Sequence, residues 1–313
     1  RPLRRESVSD AQPLPPPPTR PTSIVYFGSP AEAVAPLEAL IAAGHRVDLV
    51  VSAPDRRRSR RGSPTPTPVK AAALRLGLKV TDDLADAATA ADDGADLGVV
   101  VAYGRILRRP LLEALPMVNL HFSLLPRWRG AAPVERALLA GDDATGVAVM
   151  GVEEGLDTGP VYAEVAVPIA PTSTAAELRT ELSARGAELL IDTLGSGLTD
   201  PRPQSGTTTY ATKITGDDLE LRFDEAPAIE LDRRVRVGGA WTTLRGERLK
   251  VWRAEIVAPS AAEIPPPGVL DADIVGTACG GLRLVEVQLA GRARQDATEF
   301  LRGLRPEPGE RLG

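Results

Sequence analysis

The chain has little cysteine, little histidine and no long apolar sequence. Cys279 is its single cysteine, so no disulfide can form within the chain and a cysteine-rich zinc site is excluded. The two histidines, His45 and His121, lie far apart in sequence, so we expect no metal. The apolar runs fall well short of the roughly 20 residues that a transmembrane helix needs, so no membrane span is predicted. A GxGxxG dinucleotide fingerprint and a P-loop are also missing.

Charge is distributed unevenly along the chain. The net charge is −5, which argues against a nonspecific coat for nucleic acid. Five of the six residues from Arg56 to Arg61 are nevertheless arginine, and seven basic residues accompany one acidic residue between Arg233 and Arg253. Two basic patches on an acidic body favour a polyanion bound at a defined place, although a solvated surface would explain either patch alone.

Composition divides the chain into four regions. Residues 1–22 are rich in proline and lack apolar periodicity, which predicts a disordered arm. Residues 23–199 alternate apolar strands with helices, and residues 200–208 have the composition of a linker. Residues 209–313 show short strands separated by turn residues, a pattern typical of an all-β domain such as a small barrel.

The pattern in residues 23–199 is that of an α/β domain with a parallel sheet. SIVYFGSP, DLGVVVAYG and MVNLHFS read as buried strands, the second almost continuously apolar, as expected when helices cover both faces of a sheet. Helical periodicity lies between them, with Pro68 at a predicted helix start and Gly44 and Gly141 at predicted ends.

Asn119 and His121 are the first candidates for chemistry. Side chains two residues apart on a strand share a face, and this pair lies where its strand ends, the edge at which α/β sheets bind ligands. His121 is therefore the candidate proton acceptor or donor, whereas His45 lies in a connection without polar companions. An isolated pair of this kind could equally be a hydrogen-bonded strand cap.

Asp157 is the second candidate, in the sequence EEGLDTGP. The glycines around it permit a tight backbone path that can direct a carboxylate into a cleft. Asp-Thr-Gly also occurs in aspartic proteases, but such an enzyme needs two carboxylates that share a proton, and this chain has one such motif in an α/β domain.

The stretch NLHFSLLPRWRGAAPV, followed by GLDTGPV, resembles the methionyl-tRNA formyltransferase family of bacterial, folate-dependent formyltransferases. IVYFGSP, PDRRRSRRGSPTPTPVK and VVVAYGRIL resemble further motifs of that family, as do QSGTTTYATKIT and GLRLVEVQLAGRARQDATEFLRG. The resemblance therefore covers residues 23–313. It implies a Rossmann-like formyltransferase domain with a mainly parallel sheet, followed by a smaller C-terminal β-barrel (OB-like) that binds tRNA.

The resemblance also implies the reaction and its residues. The co-substrate would be 10-formyltetrahydrofolate, and the acceptor the α-amino group of methionyl initiator tRNA. Asn119 would donate a hydrogen bond to the formyl oxygen, His121 would take up the amine proton, and Asp157 would orient His121. No metal is required, and we expect a cytoplasmic monomer that does not bind membranes.

Binding residues follow from the same resemblance. Ser123, Leu124, Leu125 and Pro126 would line the folate site, with the backbone from Val101 to Tyr103 as a wall against the pterin. In the arginine loop, either Arg60 or Arg61 matches the functional arginine of the family and would contact the acceptor stem. The second basic patch would contact the tRNA backbone through Arg234, Arg236, Arg245, Arg248 and Lys250.

Other interpretations share part of this pattern. Formyltransferases that act on an amino sugar or a nucleotide, and formyltetrahydrofolate hydrolases, carry the same Asn, His and Asp residues. The basic loop and the arginine-rich C-terminal region favour tRNA over these substrates. A folate- or RNA-binding protein without catalysis is disfavoured because all three proposed catalytic residues are present.

Overall fold

The computed structural model describes residues 13–57, 63–259 and 264–313. The chain divides into two compact units that are each built from several segments. The described parts of Arg1–His121, Ala148–Ala163 and Gly186–Gln204 form the first unit. The second unit comprises Phe122–Val147, Glu164–Arg185 and the described parts of Ser205–Gly313.

Secondary structure alternates up to residue 168 and becomes mostly strand later. The helices are α1 (Val34–Ala42), α2 (Pro68–Arg75), α3 (Leu84–Asp92), α4 (Arg109–Ala114), α5 (Pro133–Ala140), α6 (Ala175–Ser196), α7 (Ala228–Val237) and α8 (Ala297–Leu304). Short 3-10 helices cover Ala31–Ala33 and Asp217–Leu219. None of the helices in the described ranges is long and apolar enough to cross a membrane.

The strands up to residue 168 are β1 (Ile24–Gly28), β2 (Val47–Val51), β3 (Arg56–Arg57), β4 (Pro64–Thr65), β5 (Val80–Thr81), β6 (Leu97–Val101), β7 (Met117–His121), β8 (Arg129–Gly130), β9 (Ala144–Gly151) and β10 (Val161–Pro168). The later strands are β11 (Tyr210–Ala211), β12 (Trp241–Leu244), β13 (Glu247–Val257), β14 (Leu270–Asp271), β15 (Ile274–Gly276), β16 (Gly281–Leu289) and β17 (Gln295–Asp296).

A seven-stranded sheet has the order β10-β9-β7-β6-β1-β2-β5. β1 pairs in parallel with β2 and β6, β6 in parallel with β7, and β2 in parallel with β5, whereas β7 and β9 are antiparallel. The predicted mainly parallel sheet is thus confirmed. Its central strands are buried on both faces, as their continuous apolar sequence indicated, with Val25 and Phe27 at 0% exposure.

Local signals explain where several helices begin and end. Thr67 caps α2 by accepting a hydrogen bond from the backbone N–H of Lys70 (3.1 Å), and Pro68 occupies the first turn. Gly141 ends α5 in the left-handed conformation (φ 72°), which glycine adopts without a side-chain penalty.

The C-terminal part of the second unit is an antiparallel sheet with two helices. Its order is β12-β13-β16-β15-β14, with β17 paired to β16. The OB-like barrel detail is not confirmed, because the named strands do not close on each other. Single bridges from Leu312 to Leu244 and from Arg311 to Val269 run beside the sheet, but the C-terminal residues form no strand there.

The all-β pattern expected after residue 209 was wrong in one respect, because α7 and α8 lie in this region. Leu231 and Val235 of α7 are buried four residues apart, which places them on one helix face. In α8, Phe300 and Leu301 are buried in the same core cluster, and Asp296 caps the helix by accepting from Thr298 N (2.8 Å).

The described part of the proline-rich arm lies against the first unit. Leu14 packs on the core cluster that contains Val25 and Phe27. The backbone N–H of Leu198 donates to the Thr19 carbonyl (2.9 Å). The N–H and hydroxyl of Thr22 donate to the carboxylate of Asp96. These contacts hold residues 13–22 in place without regular secondary structure.

Candidate active site

Strand β7 places Asn119 and His121 on one face at its carboxyl end. Asn119 pairs with Val100 of β6 and with Met150 of β9, so the strand is held from both sides. His121, the last residue of β7, is 5% exposed, whereas Asn119 is partly exposed. The i and i+2 spacing gives the two side chains a common face, as the sequence predicted.

Asp157 lies in the loop between β9 and β10. Its backbone has φ 50°, in the left-handed region, which aspartate tolerates better than most residues because it is short and polar. Gly159 approaches β9 so closely that a Cβ atom there would lie 1.8 Å from the carbonyl oxygen of Gly151. A backbone hydrogen bond from Gly151 to Pro160 (2.8 Å) closes the loop.

The structure brings His121 and Asp157 together. Oδ2 of Asp157 lies 3.7 Å from Nδ1 of His121, and the two side chains are 16% and 6% exposed. The separation is slightly longer than a hydrogen bond, and a small side-chain rotation would close it. A carboxylate at Nδ1 can fix the orientation and tautomer of an imidazole, so that Nε2 is the nitrogen available for proton transfer.

The segment after β6 supplies the predicted wall. Val101 and Tyr103 are buried, at 0% and 4% exposure, and the Tyr103 ring meets Phe27 edge-on with centroids 5.6 Å apart. Burial raises the pKa of Tyr103. Ala102 and Gly104 both have positive φ (46° and 75°), so the backbone turns sharply here. The side chains of Val101 and Tyr103 therefore belong to the core, and backbone is what this segment can offer a ligand.

Residues 123–126 form a compact turn directly after β7. The Ser123 hydroxyl is fully buried and donates to the Arg127 carbonyl (2.6 Å). Leu125 and Pro126 are also buried and joined by a cis peptide bond, and Leu124 is partly exposed. Leu124 fills the space beside Gly146, where a Cβ atom would lie 2.5 Å from Leu124 Cδ2. The turn is thus shaped by internal contacts.

Asp142 anchors the Arg-Trp pair that follows this turn, a contact that sequence reasoning missed. Arg127 Nε and Nη2 donate to its two carboxylate oxygens (2.8 and 2.6 Å), and Trp128 Nε1 donates to Oδ2 (2.8 Å). Burial opposes the charge of Asp142, but these hydrogen bonds outweigh it and lower the pKa of Asp142. The GD dipeptide after α5 was the available signal.

The arginine loop is only partly described. Arg60 and Arg61, the predicted contacts with the acceptor stem, lie outside the described residues. Arg56 and Arg57 form β3, which pairs antiparallel with β4, so the loop is a hairpin at its base. Both arginines of β3 are exposed.

Three of the predicted tRNA contacts are engaged within the protein. Arg236 is 14% exposed in its side chain, forms an ion pair with Asp232 (2.7 Å) and donates to the Ser173 carbonyl (2.9 Å). Arg234 donates to the Glu220 carbonyl. Arg245 forms an ion pair with Glu310 (2.6 Å), and its hydrogen bond lowers the pKa of that carboxyl group. Arg236 in particular presents little charge to a ligand.

Arg248 and Lys250 belong to a tryptophan–arginine face made of Trp241, Arg248, Lys250, Trp252 and Arg294. Trp241 lies directly opposite Lys250 in the β12–β13 pair, while Leu249 and Val251 point into the core. The guanidinium carbons of Arg248 and Arg294 lie 3.8 and 3.6 Å from the ring centroids of Trp241 and Trp252. Cation–π contacts therefore hold exposed positive charge in defined positions on this face.

A charged cavity of about 380 Å³ lies elsewhere in the second unit. It is lined by Arg136, Leu139, Asp217, Asp218, Arg222, Glu230 and Arg234. Arg136 is bound by Asp218 (2.8 Å), and that hydrogen bond is the main reason that the pKa of Asp218 falls to about 2. Three basic and three acidic side chains balance one another, so the cavity has no preference for an ion of either sign.

No group of three or more histidine, cysteine, aspartate or glutamate side chains suited to a metal occurs in the part of the chain that the structure describes. The candidate site is therefore an Asn-His-Asp arrangement at a strand end, a constellation suited to proton transfer and oxyanion stabilisation.

Two family models match the chain in succession. The formyl transferase model covers residues 22–194 and the formyl transferase C-terminal domain model covers residues 213–305. The methionyl-tRNA formyltransferase of Ruegeria pomeroyi is 44% identical over 306 residues, 92% of this chain and 99% of that protein. The methionyl-tRNA formyltransferase of Thermobifida fusca is 41% identical over 309 residues, 93% and 99% of the two chains. The chain belongs to the formyltransferase family, within its methionyl-tRNA formyltransferase group.

Solved structures share the fold at lower identity. An N-formyltransferase from Helicobacter canadensis, in complex with folinic acid and dTDP-3-aminofucose, has a TM-score of 0.62 at 15% identity and covers 87% of this chain and 99% of its own. HypX from Aquifex aeolicus in complex with tetrahydrofolic acid has a TM-score of 0.63 at 15% identity over 93% of this chain, which spans 48% of HypX. These likenesses show the formyltransferase fold.

Proposed function

We propose that the chain transfers the formyl group of 10-formyltetrahydrofolate to the α-amino group of methionyl initiator tRNA. The observation that carries the proposal is the His121–Asp157 pair at the end of β7 (3.7 Å), in a chain 44% identical to a methionyl-tRNA formyltransferase over nearly its full length. The products are N-formylmethionyl-tRNA, for the initiation of translation, and tetrahydrofolate.

The reaction needs a neutral amine and a path for one proton. An α-amino group has a pKa of about 7.7 to 8.0, so it loses its proton near neutral pH at little cost. The amine nitrogen attacks the formyl carbon, and a C–N bond forms. His121 accepts the amine proton through Nε2, and the proton then passes to the folate nitrogen as its bond to the formyl carbon breaks. The charge and the atoms balance without a covalent intermediate on the protein.

Asn119 and Asp157 support this transfer. The Asn119 amide donates a hydrogen bond to the formyl oxygen, on which negative charge develops during attack. Asp157 faces Nδ1 of His121, so its carboxylate orients the imidazole and stabilises the cation that forms when Nε2 takes the proton. Because both side chains are largely buried, the attraction is screened less than at an exposed surface.

The folate contacts come from backbone and apolar side chains. The turn Ser123–Pro126 begins two residues after His121, and its fixed shape suits it to a flat heterocycle. The segment Val101–Tyr103 offers backbone groups, since its side chains are buried in the core.

The tryptophan–arginine face supplies contacts with the tRNA backbone. Arg248, Lys250 and Arg294 are held by the indoles of Trp241 and Trp252, which lowers the entropic cost of fixing their charges against phosphate groups. Arg60 or Arg61 contributes from the arginine loop, and Arg234 and Arg245 contribute where their internal partners leave them exposed. One chain carries all the proposed catalytic and tRNA-binding residues, which suits action as a monomer in the cytoplasm.

The test is formylation of a set of acceptors by the purified full chain with 10-formyltetrahydrofolate. The acceptors are methionyl initiator tRNA, methionyl elongator tRNA, free methionine and a dTDP-linked amino sugar. We expect formyl transfer to the charged initiator tRNA alone. Formyl transfer to the amino sugar, or loss of formyl to water, would retain the chemistry of the site and overturn the proposed acceptor.

A further inference from the structure

Residues 202–204, which the sequence indicated as linker, lie along the loop that holds Asp157. Arg202 and Val161 exchange two backbone hydrogen bonds of 2.8 Å each, so this segment joins the first residue of β10. Two residues later, the Gln204 side chain reaches the same loop. Its Nε2 donates to the carbonyl oxygens of Asp157 (2.8 Å) and Gly159 (2.7 Å).

One side-chain amide thus fixes two peptide groups. A glutamine NH₂ group carries two hydrogens, and each is directed to one carbonyl. Asp157 and Gly159 lie on either side of Thr158, so Gln204 spans the turn from outside. Gln204 is itself partly buried, which makes these hydrogen bonds costly to replace with water.

The backbone of Asp157 needs such a restraint. With φ at 50°, this residue is in the left-handed region, which disfavours residues with a side chain by roughly 1 kcal/mol or more. The direction of the Asp157 carboxylate depends on this backbone conformation. If the peptide after Asp157 rotated to a relaxed conformation, Oδ2 would move from its place 3.7 Å from Nδ1 of His121.

We propose that Gln204 is a positioning residue for formyl transfer, acting through Asp157. It holds the 157–159 turn so that the carboxylate faces His121, and it touches neither substrate. The inference rests on the proposed function, because its measure is the rate of formyl transfer. The segment between the two matched formyltransferase domains is then part of the frame of the active site.

Two substitutions of similar length separate the hydrogen bonds from packing. Gln204→Met keeps the length and removes both donors, and Gln204→Glu keeps the shape and sets an acceptor against two carbonyl oxygens. We expect kcat at saturating substrates to fall by roughly tenfold or more in the methionine variant, and further in the glutamate variant. The KM values for both substrates and the affinity for tetrahydrofolate should stay unchanged. Ser205→Ala, an exposed neighbour, is the matched control and should retain wild-type kcat.

A double-mutant cycle tests whether Gln204 acts through Asp157. In an Asp157→Asn background, Gln204→Met should cause no further loss of kcat, because the group that it positions is already disabled. Full multiplication of the two losses would contradict the proposal. So would a Gln204→Met variant with wild-type kcat, or one whose kcat falls together with tetrahydrofolate binding and thermal stability.

The wild type distinguishes this inference from the function on which it rests. A wild-type protein that formylates methionyl initiator tRNA, with a fully active Gln204→Met variant, would overturn only the role of Gln204. A wild-type protein that does not formylate this tRNA would overturn the proposed function and the inference with it.

Discussion

Replacing Gly159 with alanine would place a methyl group 1.8 Å from the carbonyl oxygen of Gly151. Real Cβ atoms essentially never come closer than 3.0 Å to such an atom, so the loop or the end of β9 must move by at least 1.2 Å, the difference between these two distances. Both atoms in the clash are fixed to the backbone, so no side-chain rotation can relieve it. We therefore expect Gly159→Ala to displace the 157–159 turn.

The displacement should reach the candidate site because Asp157 lies two residues away. Its carboxylate is already 3.7 Å from Nδ1 of His121, and further separation weakens its control of the imidazole. A misplacement of about 1 Å can reduce a rate by roughly 100-fold. That loss corresponds to about 2.7 kcal/mol in the activation barrier. Overpacking should also lower the free energy of unfolding by about 1–3 kcal/mol.

Single-turnover formylation of methionyl initiator tRNA measures the effect on chemistry, and thermal unfolding measures the effect on stability. Gly195→Ala is the matched control, since Gly195 lies exposed in α6 and a Cβ atom added there would meet no atom within 4 Å. It should keep wild-type activity and gain about 0.5–1 kcal/mol of stability from the higher helix propensity of alanine. A folded Gly159→Ala protein that retains the wild-type rate would refute the argument.

Three further substitutions test other parts of the account. Asn119→Ala should lower kcat by roughly 100-fold while tetrahydrofolate still binds, because a donor to the developing oxyanion is lost; an unchanged kcat in steady-state assays would remove Asn119 from the mechanism. Asp218→Asn should destabilise the fold by about 1 kcal/mol at neutral pH. Since the folded pKa of Asp218, about 2, is below its ordinary value of 3.8, its contribution is present above about pH 4 and is lost as the pH falls through about 2. Denaturation curves that differ equally at pH 7 and pH 2 would contradict this. Arg248→Ala with Lys250→Ala should raise the KM for tRNA and reduce its salt dependence by about one unit of slope per contact, with kcat preserved; Arg75→Ala, an exposed arginine of α2, is the control and should change neither.

The sequence predicted the parallel sheet and its strand-end pair because both depend on short-range patterns. Continuous apolar strands between amphipathic helices leave few alternatives to an α/β fold, and the spacing of Asn119 and His121 on one strand follows from strand geometry alone. The proximity of Asp157 came from the family resemblance. No periodicity relates it to His121, 36 positions earlier, and the left-handed conformation that directs its side chain is a property of the folded loop.

Long-range contacts account for what the sequence did not reveal. Gln204 binds carbonyl groups 47 and 45 positions earlier, from a segment whose composition suggested only a linker. The helix α7 was missed because its arginines drew attention as a charged patch. Its buried residues, Leu231 and Val235, show helical spacing when viewed without that patch. The packing of Arg236 against Asp232 likewise turns a predicted tRNA contact into an internal ion pair.

The most direct test of the central claim is the single-turnover rate of formyl transfer to methionyl initiator tRNA by Asp157→Asn, beside the wild type and with tetrahydrofolate binding measured on the same preparations. The asparagine keeps the shape of the side chain and removes the charge that faces Nδ1 of His121. The account predicts a rate reduced by about 100-fold or more with tetrahydrofolate binding intact. A variant that transfers formyl at the wild-type rate would show that the His121–Asp157 pair does not carry the reaction.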